Sequence, residues 1–285
     1  MTPADSSTAA SHGSGPLSGF RAVSLATNIP GPVAAGLLVR EGLSVTKVEP
    51  PSGDMLRGAS EALYDELRAG MTVQTLDLRL PEGQQALGAL LQDADLLITS
   101  QRPSALARLG VTADALAALN PRLCWVEIVG DEDAPEVPGH DLTYQLQVGL
   151  VRPPQMPTTL IADLAGAQEA ARSALALLLG RERGRSERHR RVGLKQAAAG
   201  MALPVRHGLT APGGWLSGAL PQYRLYPLQD GWAGVAALEP HFGQRLAGTL
   251  GGQDPDRFLR GLTVDECNRL AHEHDLPVHA VKSAP

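Results

Sequence analysis

Short apolar runs alternate with helical patterns along the first half of the chain. The run at residues 21–26 ends at Asn28-Ile29-Pro30-Gly31-Pro32, and a helical pattern follows at residues 33–40, which Gly42 can terminate. Residues 44–49 form a second run that is rich in β-branched residues and stops at Pro50-Pro51. A strand, a helix and a strand in this order predict a right-handed crossover between parallel strands.

The same alternation continues to about residue 129. It predicts strands at residues 73–78, 96–99 and 123–129, and helices at residues 82–91 and 113–119. We therefore predict an α/β fold with a Rossmann-like, doubly wound parallel sheet. The loops after residues 26, 49, 99 and 129 are then expected to face one ligand crevice at the carboxyl ends of the strands.

A chain of 285 residues can form one large domain or two smaller ones. Its last part contains a helical-looking stretch at residues 254–274 and a short apolar run at residues 276–281. Residues 1–15 are rich in Ser, Ala and Gly and are expected to be a disordered tail.

Composition limits the possible functions. With 43% hydrophobic residues, the 285-residue chain can bury a large core. A formal net charge of −5 gives no support to nucleic-acid binding, because phosphate neutralisation needs a concentrated basic surface. The arginine-rich run at residues 181–191 is local; we interpret it as a solvated helix end and loop, with phosphate binding as the alternative.

Targeting and cofactor signals are not evident in the sequence. The first residues have neither the basic start nor the apolar block of a signal peptide, and no run approaches a membrane span, so no membrane partner is expected. Cys124 and Cys267 give neither a disulfide framework nor a spaced metal site, which predicts a cytoplasmic protein without a metal. Pro30-Gly31-Pro32 stands where a dinucleotide fingerprint needs a three-glycine turn, so a nicotinamide cofactor is not expected.

Candidate proton carriers lie in loops that follow this pattern. His140 occurs in Gly139-His140-Asp141, Asp163 occurs in an apolar stretch, and Glu239 precedes a proline. An imidazole titrates near neutral pH, and an aspartate in an apolar site has a raised pKa, so both can donate and accept protons. Each residue also has a structural interpretation, His140 as a loop or cap histidine, Asp141 or Asp163 as an N-cap, and Glu-Pro as a step from strand into helix.

Short segments in a fixed order carry a resemblance to a known family. They lie at residues 16–21, 30–32, 47–51, 76–78, 81–83, 94–97, 102–103, 109–110, 120–123, 139–144, 162–163, 230–231 and 239–242. Each segment is weak alone, but together and in this order the chain resembles the family III CoA-transferases, the CaiB/BaiF superfamily that includes the α-methylacyl-CoA racemases.

The resemblance implies a Rossmann-like large domain at residues 16–200, and a linker with a truncated second, small domain at residues 201–285. It further implies a homodimer, with the two chains interlocked as rings. It also implies coenzyme A, as an acyl-CoA thioester, as the substrate. Transferase members use the aspartate that matches Asp163 as a nucleophile, which forms an acyl anhydride and then an aspartyl-CoA thioester. Racemase members use a histidine and that aspartate on opposite faces of an α-carbon.

The racemase branch is the closer match. His140 occupies the position before Asp141 where transferases more often carry an aromatic residue. Glu239 matches the racemase glutamate that hydrogen-bonds and orients the histidine. Backbone N–H groups at a helix that starts just after His140 are expected to stabilise the enolate left by removal of an α-proton.

The resemblance also assigns residues to the CoA site, namely Arg102, Tyr144, Lys47 and Ile29. Lys47 is placed at the end of the second strand, where a phosphate could lie, or is a solvated strand-end charge. Tyr144 is alternatively a core aromatic. Arg102 is the strongest of these assignments.

Departures from the family pattern affect the expected CoA contacts. Residues 67–71 replace a basic stretch that meets CoA phosphates in relatives. The loop at residues 130–136 contains Asp131, Glu132, Asp133 and Glu136, which would repel an anionic nucleotide if they faced it. The segment between Tyr144 and Asp163 is compact and proline-rich, so the loop that covers a substrate is expected to be trimmed.

The sequence thus leaves three functional hypotheses. The first is α-proton transfer, as racemisation or epimerisation of a CoA thioester, by His140 and Asp163. The second is CoA transfer between carboxylates with Asp163 as the nucleophile. The third is a non-catalytic homologue that acts as a binding or partner subunit. The acyl group and the stereochemical preference cannot be predicted from these residues.

Overall fold

The computed structural model describes residues 15–283, and the residues predicted to form a disordered tail lie outside this range except Gly15. The chain divides after Met201 into two compact units. The first unit contains a six-stranded sheet in the order β3-β2-β1-β4-β5-β6, and all its strand pairs are parallel. The predicted Rossmann-like α/β fold is therefore confirmed.

The strands of this sheet are β1 (Arg21–Ser24), β2 (Ser44–Glu49), β3 (Thr72–Thr75), β4 (Leu96–Thr99), β5 (Cys124–Val129) and β6 (His189–Gly193). Every residue of β4 and β5 is buried. A parallel sheet covered on both faces requires such continuous apolar strands, which is why these runs were visible in the sequence.

Helices of the first unit are α1 (Pro30–Arg40), α2 (Met55–Ala59), α3 (Glu61–Leu67), α4 (Pro81–Gln92), α5 (Pro103–Arg108), α6 (Ala113–Leu119), α7 (Asp141–Gln147), α8 (Ile161–Glu182) and α9 (Leu194–Met201). Residues of α1, α7, α8 and α9 share one core cluster with strand residues of the sheet. Residues of α4, α5 and α6 share a second cluster with strand residues that point the other way. The sheet is thus covered on both faces.

The strand order reverses between β1 and β4, and the loops that follow these strands are tied together. The N–H of Thr27 donates to Ser100 Oγ at 3.1 Å, and Gln101 Nε2 donates to the carbonyl of Leu25 at 2.6 Å. Ligands of doubly wound sheets bind at such a reversal, beyond the carboxyl ends of the strands.

The second unit is a separate α/β module with an antiparallel sheet in the order β7-β8-β9. Its elements are α10 (Leu203–Arg206), β7 (Tyr223–Pro227), β8 (Gly231–Ala236), α11 (Pro240–Leu250), α12 (Pro255–Arg260), α13 (Val264–Glu273) and β9 (Val278–Lys282). Residues of α11, α12 and α13 pack with strand residues in one apolar cluster. Within the described range, no helix is both long and apolar enough to cross a membrane.

Some element boundaries differ from the sequence prediction. The third strand stops at Thr75, because the chain then forms a turn in which Asp77 accepts hydrogen bonds from the backbone N–H and guanidinium of Arg79. The helical stretch at residues 254–274 is two helices, each with its own N-cap, Asp254 and Thr263. Each cap satisfies backbone N–H groups that a helix start would otherwise leave unpaired.

The arginine-rich run is only partly a solvated loop. Its last residues form β6, the edge strand of the sheet. Arg181 is buried and pairs with Asp95 at 2.9 Å, and Arg191 pairs with the buried Glu127 at 2.8 Å. The interpretation as a solvated helix end and loop is therefore wrong for Arg181, which is buried, and for residues 189–193, which form a strand; the other arginines of the run are exposed or half-buried.

Candidate active site

His140 lies at the junction between the loop after β5 and α7. It is the N-cap residue of α7, has extended backbone angles and is exposed. Its N–H donates to Thr143 Oγ1 at 3.1 Å, and Thr143 Oγ1 donates back to the His140 carbonyl at 2.7 Å. This reciprocal pair fixes the backbone of His140, and the residue is exposed. The predicted helix start just after His140 is therefore present.

Asp163 lies in the first turn of α8, on a different element. Its backbone N–H donates to Asp141 Oδ1 at 3.1 Å. Asp141 directly follows His140 in the chain, so one hydrogen bond joins the loop of His140 to the helix of Asp163. The structure thus links the starts of α7 and α8, from which the two candidate proton carriers arise.

The Asp163 carboxyl titrates far above its ordinary range. Burial, and secondarily the negative charge of Asp141, raise the pKa of Asp163 to about 7. Both effects disfavour the ionised carboxylate. At neutral pH the group is therefore divided between its acid and base forms, the condition in which a carboxyl can both give and take a proton.

Tyr144 lies on the first turns of α7 and is 5% exposed. A Cβ added at Gly130 would fall 2.0 Å from its hydroxyl oxygen, and one at Gly139 would fall 2.4 Å from it. The Tyr144 ring therefore depends on both glycines for its position. Burial and then the charges of Asp163 and Asp131 raise the pKa of the Tyr144 hydroxyl, while the charge of Arg102 lowers it.

Arg102 is the N-cap of α5 and is exposed. Its charge acts on Tyr144 and also on Glu136 in the loop after β5, where it lowers the pKa of the Glu136 carboxyl after the larger effect of hydrogen bonds from Ser104. Arg102, Tyr144 and Asp163 therefore belong to one electrostatic neighbourhood. These are three of the residues that the sequence assigned to catalysis or CoA binding.

The acidic loop is hydrogen-bonded to the rest of the chain, and one of its carboxylates is ion-paired. Asp131 pairs with Lys195 at 2.6 Å and accepts from Gln196 at 2.6 Å. Glu132 accepts from the N–H of Gly193 at 2.9 Å. Glu136 accepts from the N–H and hydroxyl of Ser104, both at 2.7 Å. Lys195 offsets the charge of Asp131, whereas the hydrogen bonds to Glu136 lower the pKa of its carboxyl and so favour its negative charge.

Lys47 lies in the second half of β2, as predicted, but its side chain is buried and already paired. It is 1% exposed, and its ammonium contacts Glu49 and donates to Asp54 Oδ2 at 2.8 Å. Tyr64 donates to Glu49 Oε1 at 2.9 Å and closes the group. The alternative of a solvated strand-end charge is therefore wrong, and the two carboxylates already occupy the lysine that was assigned to a phosphate.

Ile29 is the half-buried residue that precedes α1. It lines a cavity of about 1650 Å³ together with Thr159, Leu160 and Leu164 at the start of α8. His140, Tyr144 and Asp163 are not among the residues that line this cavity. Ile29 thus shares this cavity with residues at the start of α8, whereas the candidate proton carriers are not part of its lining.

Glu239 belongs to the second unit, where it is the exposed N-cap residue of α11. Its carbonyl accepts from the N–H of Gly243 at 2.9 Å within that helix. Its contact with His140 stays a prediction. Within residues 15–283, no group of three or more His, Cys, Asp and Glu side chains is arranged to hold a metal ion.

Gln145 is a site residue that the sequence interpretation missed. It is 1% exposed, and its Nε2 donates to Asp141 Oδ2 at 2.5 Å and to the carbonyl of Thr159 at 2.9 Å. The spacing of Asp141 and Gln145, four residues apart on one helix, is the only signal in the sequence. The bond to Thr159 joins segments distant in the chain and has no sequence signature.

The family is shown by comparison with known proteins. The model of CoA-transferase family III matches residues 17–284. Together with the doubly wound sheet, this match shows that the chain belongs to CoA-transferase family III, as the resemblance predicts.

Curated relatives of the chain are CoA-transferases. It is 29% identical over 187 residues to a probable fatty acyl-CoA transferase of Mycobacterium tuberculosis, a match that covers 59% of this chain and 48% of the relative. It is 26% identical over 268 residues to a cinnamoyl-CoA:phenyllactate CoA-transferase of Clostridium sporogenes, covering 83% of this chain and 65% of that protein. The chain thus spans less than two thirds of either relative.

Solved structures support the fold. A hypothetical protein from Mycobacterium tuberculosis superposes with a TM-score of 0.83 at 24% identity, over 96% of this chain and 85% of the other. A CAIB/BAIF family protein from Brucella suis superposes with a TM-score of 0.80 at 20% identity, over 94% and 84% of the two chains.

Proposed function

We propose that this protein acts on an acyl-CoA thioester and moves a proton at its α-carbon, with His140 and Asp163 as the two proton carriers. The observation that carries the proposal is the hydrogen bond from the Asp163 N–H to the Asp141 carboxylate, which joins the two helix starts that bear these residues. The result of the reaction would be racemisation or epimerisation of a 2-methylacyl-CoA.

The chemistry requires one group on each face of the α-carbon. One carrier removes the α-proton, the C–H electron pair moves to the thioester carbonyl and forms an enolate, and the other carrier returns a proton to the opposite face. An imidazole is suited to either role near neutral pH. A pKa of about 7 suits Asp163 to the same exchange, since the barrier to proton transfer is lowest when donor and acceptor are matched to the working pH.

Other residues have supporting roles in this proposal. Glu239 would hydrogen-bond His140 and orient its ring. Arg102 and Tyr144 would contact the nucleotide and pantetheine parts of CoA, and Ile29 would line the path of the acyl-CoA. The charges of Arg102 and Asp163 both act on the Tyr144 hydroxyl, which supports the assignments of Arg102 and Tyr144.

The test is incubation with a (2R)- or (2S)-2-methylacyl-CoA in deuterated water. The wild type is expected to incorporate deuterium at the α-position, and H140Q and D163N to lose this activity by at least about 100-fold, the usual contribution of general acid–base catalysis. D114N, a substitution in the first turn of α6, is the matched control. Absence of α-deuterium in the wild type with every acyl-CoA tested, despite CoA binding, would contradict the proposal.

CoA transfer with Asp163 as the nucleophile is the second candidate, favoured by the transferase names of the relatives. The Asp163 carboxylate would attack the thioester carbonyl and release CoA thiolate, which would then attack the Asp163 carbonyl of the anhydride and release the acyl carboxylate. Hydroxylamine would trap the resulting aspartyl-CoA thioester as a hydroxamate at residue 163. Trapping that depends on an acyl-CoA donor would favour this candidate, and failure to bind CoA at all would favour a non-catalytic homologue.

A further inference from the structure

Asp141 is a buried carboxylate without a cationic partner. Its residue is 4% exposed, and within residues 15–283 it forms no ion pair. Its two oxygens accept instead from neutral donors, Oδ1 from the N–H of Asp163 and Oδ2 from Gln145 Nε2. Burial of an unpaired charge is costly, and a neutral side chain would satisfy most of the same geometry. The starts of α7 and α8, whose free N–H groups favour a negative charge, offset part of this cost, and the same contact places the charge beside Asp163.

Gln145 holds Asp141 in place and extends the link to α8. Its amide is 1% exposed, so no other conformation is open to it without loss of buried hydrogen bonds. The same Nε2 that meets Asp141 also donates to the carbonyl of Thr159, just ahead of α8. The start of α8 is thereby fixed to α7 on both sides of Ile161, by Thr159 before it and by Asp163 after it.

We propose that Asp141 is a positioning residue for the acyl-CoA chemistry, which holds Asp163 against the loop of His140 and keeps a negative charge beside its carboxyl. The inference rests on the proposed function, because Asp141 acts through Asp163. Gln145 is the group that keeps Asp141 oriented. Asp141 itself does not contact the substrate, since its oxygens are taken up by Asp163 and Gln145.

The charges around Asp163 support this role. Apart from burial, the negative charge of Asp141 is the effect that raises the pKa of the Asp163 carboxyl. The Tyr144 hydroxyl on α7 also interacts electrostatically with Asp163. The charges of Asp131, in the loop after β5, and of Arg102, ahead of α5, act on the same hydroxyl. His140 is a further titratable residue at this junction. Removal of the charge at residue 141 should therefore lower the pKa of Asp163.

The experiment compares D141N, D141A and the control D114N in the full chain. Asn keeps an oxygen acceptor for the Asp163 N–H and removes the charge, whereas Ala removes both. The rate of α-deuterium incorporation is measured against pH, with kcat and KM for the 2-methylacyl-CoA determined separately. The titration of the Asp163 carboxyl is followed by ¹³C NMR in the free proteins, with D163N used for assignment.

For D141N we expect the Asp163 titration midpoint, and the matching limb of the pH–rate profile, to move to lower pH. The value of kcat should fall by about tenfold or more while KM changes by less than about threefold, because a misplaced proton carrier affects chemistry more than binding. The value of kcat should fall further in D141A than in D141N, and D114N should have the kcat, KM and pH profile of the wild type.

Two results would overturn the proposal. One is a D141N protein that keeps the wild-type kcat and pH profile and differs only in stability, which would make Asp141 purely structural. The other is an unchanged Asp163 titration midpoint in D141N. The NMR measurement needs no substrate, so it still decides this inference if the wild type exchanges no α-proton and the proposed function itself fails.

Discussion

The Tyr144 ring and Gly139 are in direct contact, and a Cβ at residue 139 would fall 2.6 Å from both Cε1 and Cζ of the ring. Such a distance lies far inside van der Waals contact, and the partner is a buried aromatic side chain rather than the end of a flexible one. Gly139 immediately precedes His140. A side chain at residue 139 would therefore displace either the Tyr144 ring or the backbone that leads into His140, the candidate proton carrier.

We predict that G139A destabilises the protein by about 1–3 kcal/mol, the cost of overpacking a buried site, and reduces any His140-dependent activity. Urea denaturation followed by circular dichroism measures the first effect. G88A, in α4, is the matched control, because a Cβ there meets no atom within 4 Å. That substitution should stabilise the helix by up to about 1 kcal/mol. Equal stability of G139A and the wild type would contradict the contact.

The raised pKa of Asp163 predicts a pH-dependent stability. Well below about pH 4 the carboxyl is protonated in both folded and unfolded chains, so its ionisation does not affect the free energy of unfolding. As the pH rises toward about 7, the unfolded chain ionises its carboxyl and the folded chain retains the proton, so the folded state loses stability. D163N has no such titration. Its stability relative to wild type should therefore increase with pH, by an amount on the order of 3 kcal/mol between pH about 4 and about 8.

Urea denaturation of wild type and D163N at several pH values measures this difference. D114N provides the comparison for removing an exposed carboxylate from a helix start. A constant difference between wild type and D163N across the pH range is the outcome that contradicts a raised pKa at residue 163.

Lys47 is predicted to act in folding rather than in CoA binding. K47M leaves Glu49 and Asp54 buried without their cation and should cost about 3–5 kcal/mol. Neutralising one carboxylate as well, in K47M/E49Q, should recover part of this loss. K282M, an exposed lysine in β9, should change stability by less than about 0.5 kcal/mol. A stable K47M protein with weakened CoA binding would instead support the phosphate contact.

Arg102 is predicted to contribute to CoA affinity. Loss of a charge-assisted contact to an anionic ligand, in R102A, should raise the Kd for CoA by about tenfold or more in calorimetry. R108A is the matched control, because Arg108 lies on the same short helix and its charge acts on Glu136 as that of Arg102 does. Equal losses in both variants would indicate a general effect of positive charge rather than a contact at residue 102.

The sequence predicts most of the large sheet, because the strands β1, β2, β4 and β5 are short apolar runs bounded by turns. It misses β6, since His189 and its neighbouring arginines do not look like a strand. The structure explains this, as β6 lies at the edge of the sheet and its arginines pair with Glu187 and Glu127. The position of a strand at the edge of a sheet and its ion pairs depend on tertiary structure, which hydrophobic periodicity does not report.

The candidate site was only partly predictable for the same reason. His140 and Asp163 can be found through the resemblance to the family, since each lies in a short segment that matches it. The link that Asp141 and Gln145 form between those segments cannot, because it depends on backbone groups of Thr159 and Asp163, which lie far along the chain. The pairing of Lys47 is missed by sequence because its partner Asp54 lies beyond the strand that carries it.

The position of the Tyr144 ring between Gly130 and Gly139 has a consequence for protein engineering. The two glycines mark the ends of the acidic loop, and one aromatic side chain closes its base. Between them, Asp131, Glu132 and Glu136 bind Lys195, Gly193 and Ser104, so the loop is held along its length as well as at its ends. A loop grafted between residues 130 and 139 would therefore have to supply carboxylate acceptors at these three positions.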